Sequence, residues 1–105
     1  MEEIIIRRES EYCTRVKLGK EFFVPMPSTR APKRYLARVL QQIAEKKAGE
    51  NWKELKLIPT NKYVALLIHT AVNTNLSSRE GRGVLFFVAR LLKMLESDFE
   101  VIRLS

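Results

Sequence analysis

Apolar residues recur along this chain with two different periods, and the switches between them predict its elements. Ile4, Ile5 and Ile6, within Glu3 to Arg8, form a β-branched run suited to a strand buried on both faces or placed at a subunit contact. From Glu11 to Leu18 the pattern alternates. Tyr12, Thr14, Val16 and Leu18 face one way and Cys13, Arg15 and Lys17 the other, as a half-buried second strand requires. Gly19-Lys20 makes a tight connection to a third strand, Glu21 to Val24, which Pro25 and Pro27 end because they cannot donate to a ladder. This is an N-terminal β-meander. Pro25 to Pro32, with Ser28, Thr29 and Arg30, reads as an exposed loop.

From Pro32, a favoured first-turn residue, Tyr35, Leu36, Val39, Leu40 and Ile43 recur at helical spacing as far as about Ala48. Gly49 supplies the stop, and Lys46 and Lys47 complement the negative end of the helix dipole. Trp52 to Ile58 reads as a short strand ended by Pro59, with Leu55 and Leu57 alternating against Glu54 and Lys56. Lys62 to Val72 is apolar almost all round and reads as a buried second helix capped by Thr60 or Asn61. A hairpin from Leu55 to Ile68, turning at Pro59 to Lys62, is the alternative. After the polar Asn73 to Gly83, Ser77 and Glu80 have capping-box spacing, and Val84, Leu85, Val88, Leu91, Leu92 and Leu95 mark a third helix. Phe99 to Leu104 alternates as a closing strand that could join the N-terminal sheet. The predicted fold is therefore α+β: a small antiparallel sheet, formed by the N-terminal meander plus the C-terminal strand, packed against about three helices.

At 105 residues the chain fits one domain, 1–105, and its 46% apolar and 30% charged composition suits a folded protein. One cysteine, Cys13, cannot form an internal disulfide, and with one histidine it cannot build a usual zinc site, so neither metal nor cofactor is expected. The acidic opening Met-Glu-Glu and the lack of an apolar run near the ~20 residues of a membrane span predict a cytoplasmic protein with no membrane partner. His69 lies in an apolar run and reads as a buried structural residue. With the acids scattered, no catalytic residues and no enzymatic activity are expected.

Charge changes the picture. Between Thr14 and Lys47 stand nine basic residues against two acidic ones, which equals the whole formal net charge of +7; the rest of the chain cancels. Phe22, Phe23 and Tyr35 fall inside this stretch and Tyr12 just before it. Cations neutralise phosphates without sequence preference, and unpaired bases stack on exposed rings, so the combination points to single-stranded nucleic acid. Phe22 and Phe23 are neighbours on a strand, so one should be core and the other exposed. Tyr35 lies on the apolar stripe of its helix and reads as core. Trp52, beside Lys53, reads equally as a stacking residue and as a lid on the core.

The segment Arg15 to Phe23, the basic helix Lys33 to Arg38 and the general plan resemble the ThermoDBP-related group of archaeal single-stranded DNA-binding proteins. That resemblance implies helices packed on a small antiparallel sheet, around a cleft with apolar and aromatic residues in its floor and basic residues at its margins. Phe22, Phe23 and Trp52 would then lie in the floor, and Arg15, Lys17, Lys20, Arg30, Lys33, Arg34 and Arg38 would line the margins. The resulting expectation is a non-enzymatic, sequence-independent single-stranded DNA-binding protein, RNA being a second ligand, that acts as a homodimer or higher homo-oligomer. Two alternatives stand beside it. One is a small dimeric duplex-DNA regulator with a helix-turn-helix from helices two and three, although the polar connection is long for that motif. The other is a protein assembly subunit whose basic face only solubilises it.

Overall fold

The segments with period-two patterning form one five-stranded antiparallel sheet in the computed structural model, which describes residues 3–75 and 77–105. Met1 and Glu2, the start of the acidic opening, and Leu76, in the polar connection, lie outside the described residues. The elements in chain order are β1 (Ile4–Ser10), β2 (Cys13–Leu18), β3 (Glu21–Phe23), α1 (Pro32–Ala48), β4 (Glu54–Pro59), α2 (Lys62–Val72), α3 (Arg79–Met94), a 3₁₀ turn (Glu96–Asp98) and β5 (Phe99–Arg103). The strands lie in the order β3-β2-β1-β4-β5. The triple-isoleucine run thus takes the centre of the sheet, where β-branched side chains are buried most fully. The closing strand joins through β4, on the far side of β1 from the meander.

Strand two begins at Cys13 rather than Glu11. Ser10 pairs with Cys13, which leaves Glu11 and Tyr12 as the turn. Gly19, at φ 63°, takes the positive-φ first position of the two-residue loop between β2 and β3, and Gly49, at φ 75°, ends α1 while its N–H donates to the Glu45 carbonyl. α1 carries the chain from the β3 edge across the helix-side face to β4. Its Leu36, Val39, Leu40 and Ile43 join Ile4, Ile6, Val16, Leu18, Leu55 and Leu57 in the core. α3 packs along α1 and beside α2, adding Leu85, Val88 and Leu92.

Three sequence readings need correction. α2 is not buried all round: Val64, Ile68 and Ala71 face inward, but among the described residues no element covers the opposite side, so Tyr63 and Leu66 are exposed. His69 shares that outer side and is exposed, not a buried structural residue. The α3 cap is Ser78, not Ser77. The Ser78 hydroxyl accepts the Gly81 N–H at 2.9 Å, while Ser77 Oγ is engaged by Asn75 Oδ1 at 2.8 Å.

Gly81 sits against the connection between α2 and α3, where an added Cβ would meet the Asn75 carbonyl oxygen and Ser78 Oγ. Helix propensity favours Gly81→Ala by about 1 kcal/mol, but overpacking against fixed backbone costs about 1–3 kcal/mol. The steric effect wins. Gly81→Ala is expected to lower the melting temperature in a thermal denaturation scan, and a rise would show that the connection yields.

Candidate functional site

The pairing register divides the predicted site residues between two faces of the sheet. On the face away from the helices, Phe22, Lys17, Ile5, Lys56 and Ile102 lie side by side across all five strands, because Ile5 pairs with Lys17 and Lys56, Lys17 with Phe22, and Lys56 with Ile102. Lysine stems beside Ile5 keep it only 9% exposed. Arg15 and Arg7 form the next pair along β2 and β1.

Among the described residues this face carries four acids, Glu3, Glu9, Glu54 and Glu100, and four bases, Arg7, Arg15, Lys17 and Lys56. Glu3 meets Lys17 Nζ at 3.6 Å and Lys56 Nζ at 3.9 Å, Glu9 meets Arg15 Nε at 3.0 Å, and Glu54 meets Arg7 Nε at 3.1 Å. Exposed pairs of this kind contribute little stability, but they cancel the field that a polyanion would feel. Phe22 is 42% exposed here, with the Arg7 guanidinium 5.3 Å from its ring centre.

On the helix side, an open cleft of about 350 Å³ lies between the β2–β3 hairpin, the start of α1 and the end of α2. Leu18, Phe23, Leu36, Ala71 and Val72 give it an apolar floor; Lys20 and Lys33 stand on its lining with Glu21 and Asn73. The sequence places these groups by simple parity. Phe23 pairs with Val16 and so turns inward, opposite to Phe22. It is half-buried against the core with part of its surface in the cleft. Lys33 lies in the first turn of α1, and its ammonium donates to the Val72 carbonyl at the end of α2, 3.2 Å away. Lys20 is exposed at the hairpin tip.

No protein-family model, curated protein or solved structure matches the chain. Arg30, Arg34 and Arg38 belong to α1 and the loop before it, on the cleft's side of the sheet. Arg34 Nη1 lies 3.7 Å from Met26 Sδ, and Arg38 is half-buried, with its Nε enclosed and without a protein partner. Arg82 of α3 joins them by donating to the Arg30 carbonyl at 3.3 Å. Among the described residues, none of Lys20, Arg30, Lys33, Arg34, Arg38 and Arg82 is in an ion pair. Trp52 belongs to neither group. It is 1% exposed, a lid on the core, with the Arg8 guanidinium 4.0 Å above its ring.

The structure thus brings together Lys20, Phe23 and Lys33, sets Arg30, Arg34 and Arg38 on the same side, and separates Arg15, Lys17 and Phe22 from them. Sequence reasoning missed Leu18, Leu36, Ala71 and Val72 as floor residues, since each reads as ordinary core. It also missed Arg82, whose neighbour Arg30 is 52 residues away. Among the described residues no three His, Cys, Asp or Glu side chains gather as a metal-holding group, and no helix is long and apolar enough to cross a membrane.

Proposed function

We infer that this protein binds single-stranded nucleic acid, DNA in the first instance, without chemistry and without sequence preference, along the cleft between the β2–β3 hairpin and α1–α2. The observation that carries this reading is the coincidence of an apolar, ring-bearing floor with cations that are in no ion pair among the described residues, while the cations of the other sheet face are already neutralised. Its volume falls in the ~300–1,000 Å³ range of ligand pockets, and an unpaired base fits the chemistry of its floor. Phe23 offers the π-face; Lys20 and Lys33 hold adjoining phosphates, and Arg34 and Arg30 extend the path along α1. A duplex hides its base faces, so this floor favours single strands. An apolar floor with basic margins is also what the resemblance to the ThermoDBP-related proteins implies. The helix-turn-helix alternative has less support, because the connection from Val72 at the end of α2 to Arg79 at the start of α3 is longer than the tight turn of that motif.

The test is an anisotropy titration of labelled oligo-dT and of a duplex at two salt concentrations. Four phosphate contacts give a log–log salt slope of about −2.8, so affinity for the strand should fall roughly 50-fold between 50 and 200 mM salt. Absence of oligo-dT binding at the lower salt, or tighter duplex binding, would overturn the reading. The two phenylalanines divide the faces further. Phe23→Ala is expected to lower both melting temperature and affinity, the latter by about fivefold or more, since stacking contributes ~1–3 kcal/mol. Phe22→Ala should leave affinity near wild type. The reverse outcome would move the strand to the open sheet face.

A further inference from the structure

One acid stands in the cleft that phosphate binding does not account for. Glu21 pairs with Leu18 and Phe23 with Val16, so both turn toward the helix side, while Phe22 between them turns to the open face. Glu21 and Phe23 therefore line the same cleft from one strand, about 7 Å apart along it. Glu21 is exposed, and among the described residues it is in no ion pair, although Lys20 precedes it and Lys33 lines the same cleft. A carboxylate beside Lys20 repels a phosphate held there, so it opposes the backbone contacts of the strand. It is useful to the site only if something other than a phosphate meets it. Asn73, also on the lining, adds a second acceptor: its Nδ2 donates to the His69 carbonyl at 2.8 Å, which commits the donor end of the amide to its own helix and leaves Oδ1.

A base seated on the Phe23 ring brings its hydrogen-bonding edge within reach of the Glu21 carboxylate, which accepts hydrogen bonds and cannot donate them. The bases answer it differently. Guanine carries N1–H and the N2 amino group side by side on its Watson–Crick edge, a pair of donors that matches the two carboxylate oxygens. Adenine and cytosine offer one amino group beside a bare ring nitrogen, whose lone pair faces the second oxygen. The N–H of thymine lies between two carbonyl oxygens that a carboxylate repels. We propose that the cleft holds a guanine subsite, in which a guanine stacked on Phe23 donates N1–H and N2–H to Glu21, with the Asn73 amide oxygen as a further acceptor on the lining. The subsite rests on the single-strand reading above. Pairing in a duplex covers this edge of guanine, so a free strand is what presents it. A strand of mixed sequence brings a guanine to the cleft after a shift of a few nucleotides, so mixed strands bind nearly alike and the phosphate path stays indifferent to sequence.

Anisotropy titrations at about 50 mM salt compare labelled oligo-dT with the same strand carrying one central guanine, inosine, adenine or cytosine. The guanine strand should bind roughly tenfold more tightly than the all-thymine strand, in the lower part of what a bidentate base contact supplies because the carboxylate is exposed. Inosine lacks the N2 amino group and should fall back to within about threefold of thymine. Glu21→Gln sets an amide donor where one oxygen stood, so it should bind the all-thymine strand more tightly and shrink the guanine preference to about twofold or less. Its melting curve should match the wild type, because Glu21 is exposed and supports no core. Guanine, inosine and thymine strands that bind alike would overturn the subsite and leave the single-strand reading standing, whereas no binding of any strand would overturn both. Tighter binding of the adenine or cytosine strand than of the guanine strand would also overturn the subsite. A guanine preference that survives Glu21→Gln would place the guanine edge on another group and overturn the assignment to Glu21.

Discussion

Replacing Lys20 and Lys33 together by Gln is expected to lower oligo-dT affinity by roughly 50-fold at 50 mM salt and to flatten the log–log salt slope by about 1.4. Each phosphate contact on a single strand contributes about 0.7 to that slope through counterion release. The matched change on the other sheet face, Arg15→Gln with Lys17→Gln, should shift affinity by less than about threefold. Those two cations lie on the opposite face of the sheet and already face Glu9 and Glu3, so no phosphate contact is lost with them. The difference between the two pairs carries the argument, because both remove the same formal charge from the same basic stretch of sequence. Equal losses would mean that only total charge matters, and a larger loss for Arg15 and Lys17 would place the strand on the open sheet. Lys33 has a second task, donating to the Val72 carbonyl at the end of α2. Lys33→Arg, which keeps both the charge and the donor, should therefore retain affinity, and melting curves of the Gln variant separate any lost helix-end contact, at about 0.3–1 kcal/mol, from lost phosphate binding.

Much of the fold was legible because local signals agreed with it. Pro32 and Gly49 bracket α1, and the helix runs from Pro32 to Ala48 between them. Asn61 caps α2, its side-chain oxygen accepting the Tyr63 N–H. The failures share a cause: periodicity reports which residues are apolar, not whether another element arrives to cover them. α2 is apolar on most sides yet rests on one, which exposed His69 along with Tyr63 and Leu66. For the site, parity along β3 correctly gave Phe22 and Phe23 opposite faces. Parity along β2 set Arg15 and Lys17 on the face opposite the inward-turned Val16 and Leu18, but the chain alone did not reveal that Glu9 of β1 and Glu3 just before it would neutralise them. Ion pairing across strands depends on register, and register depends on the Glu11–Tyr12 turn. The floor of the cleft was illegible for a similar reason, since Leu18, Leu36 and Val72 meet only when three elements converge.

Trp52→Ala should be the most destabilising single change in this set, at about 3–5 kcal/mol, because it empties a large, fully enclosed site in the core. A domain of this size is held by about 5–15 kcal/mol, and each kcal/mol moves the midpoint by about 4–8 °C, so a fall of roughly 15–30 °C is expected. The ring closes the core where the chain leaves α1 and enters β4, after Asn51 turns the backbone at φ 63°. Neighbouring backbone bonds, Arg8 N–H to the Lys53 carbonyl at 2.8 Å and Lys53 N–H to the Ser105 carbonyl at 2.8 Å, tie that segment to β1 and to the C-terminal residue. Arg8 lies over the outer face of the indole, so no base reaches that face without displacing it. Trp52→Phe keeps most of the volume and removes an enclosed Nε1 that has no protein partner, so it should cost far less, about 1 kcal/mol. Both variants, measured where they remain folded, are expected to bind oligo-dT within about threefold of wild type. Trp52 is the sole tryptophan, so its emission should be blue-shifted, shielded from acrylamide and little changed by bound oligonucleotide. Strong quenching by oligo-dT, or a stable Trp52→Ala protein that no longer binds it, would mean that the ring faces the ligand after all and would return Trp52 to the binding surface.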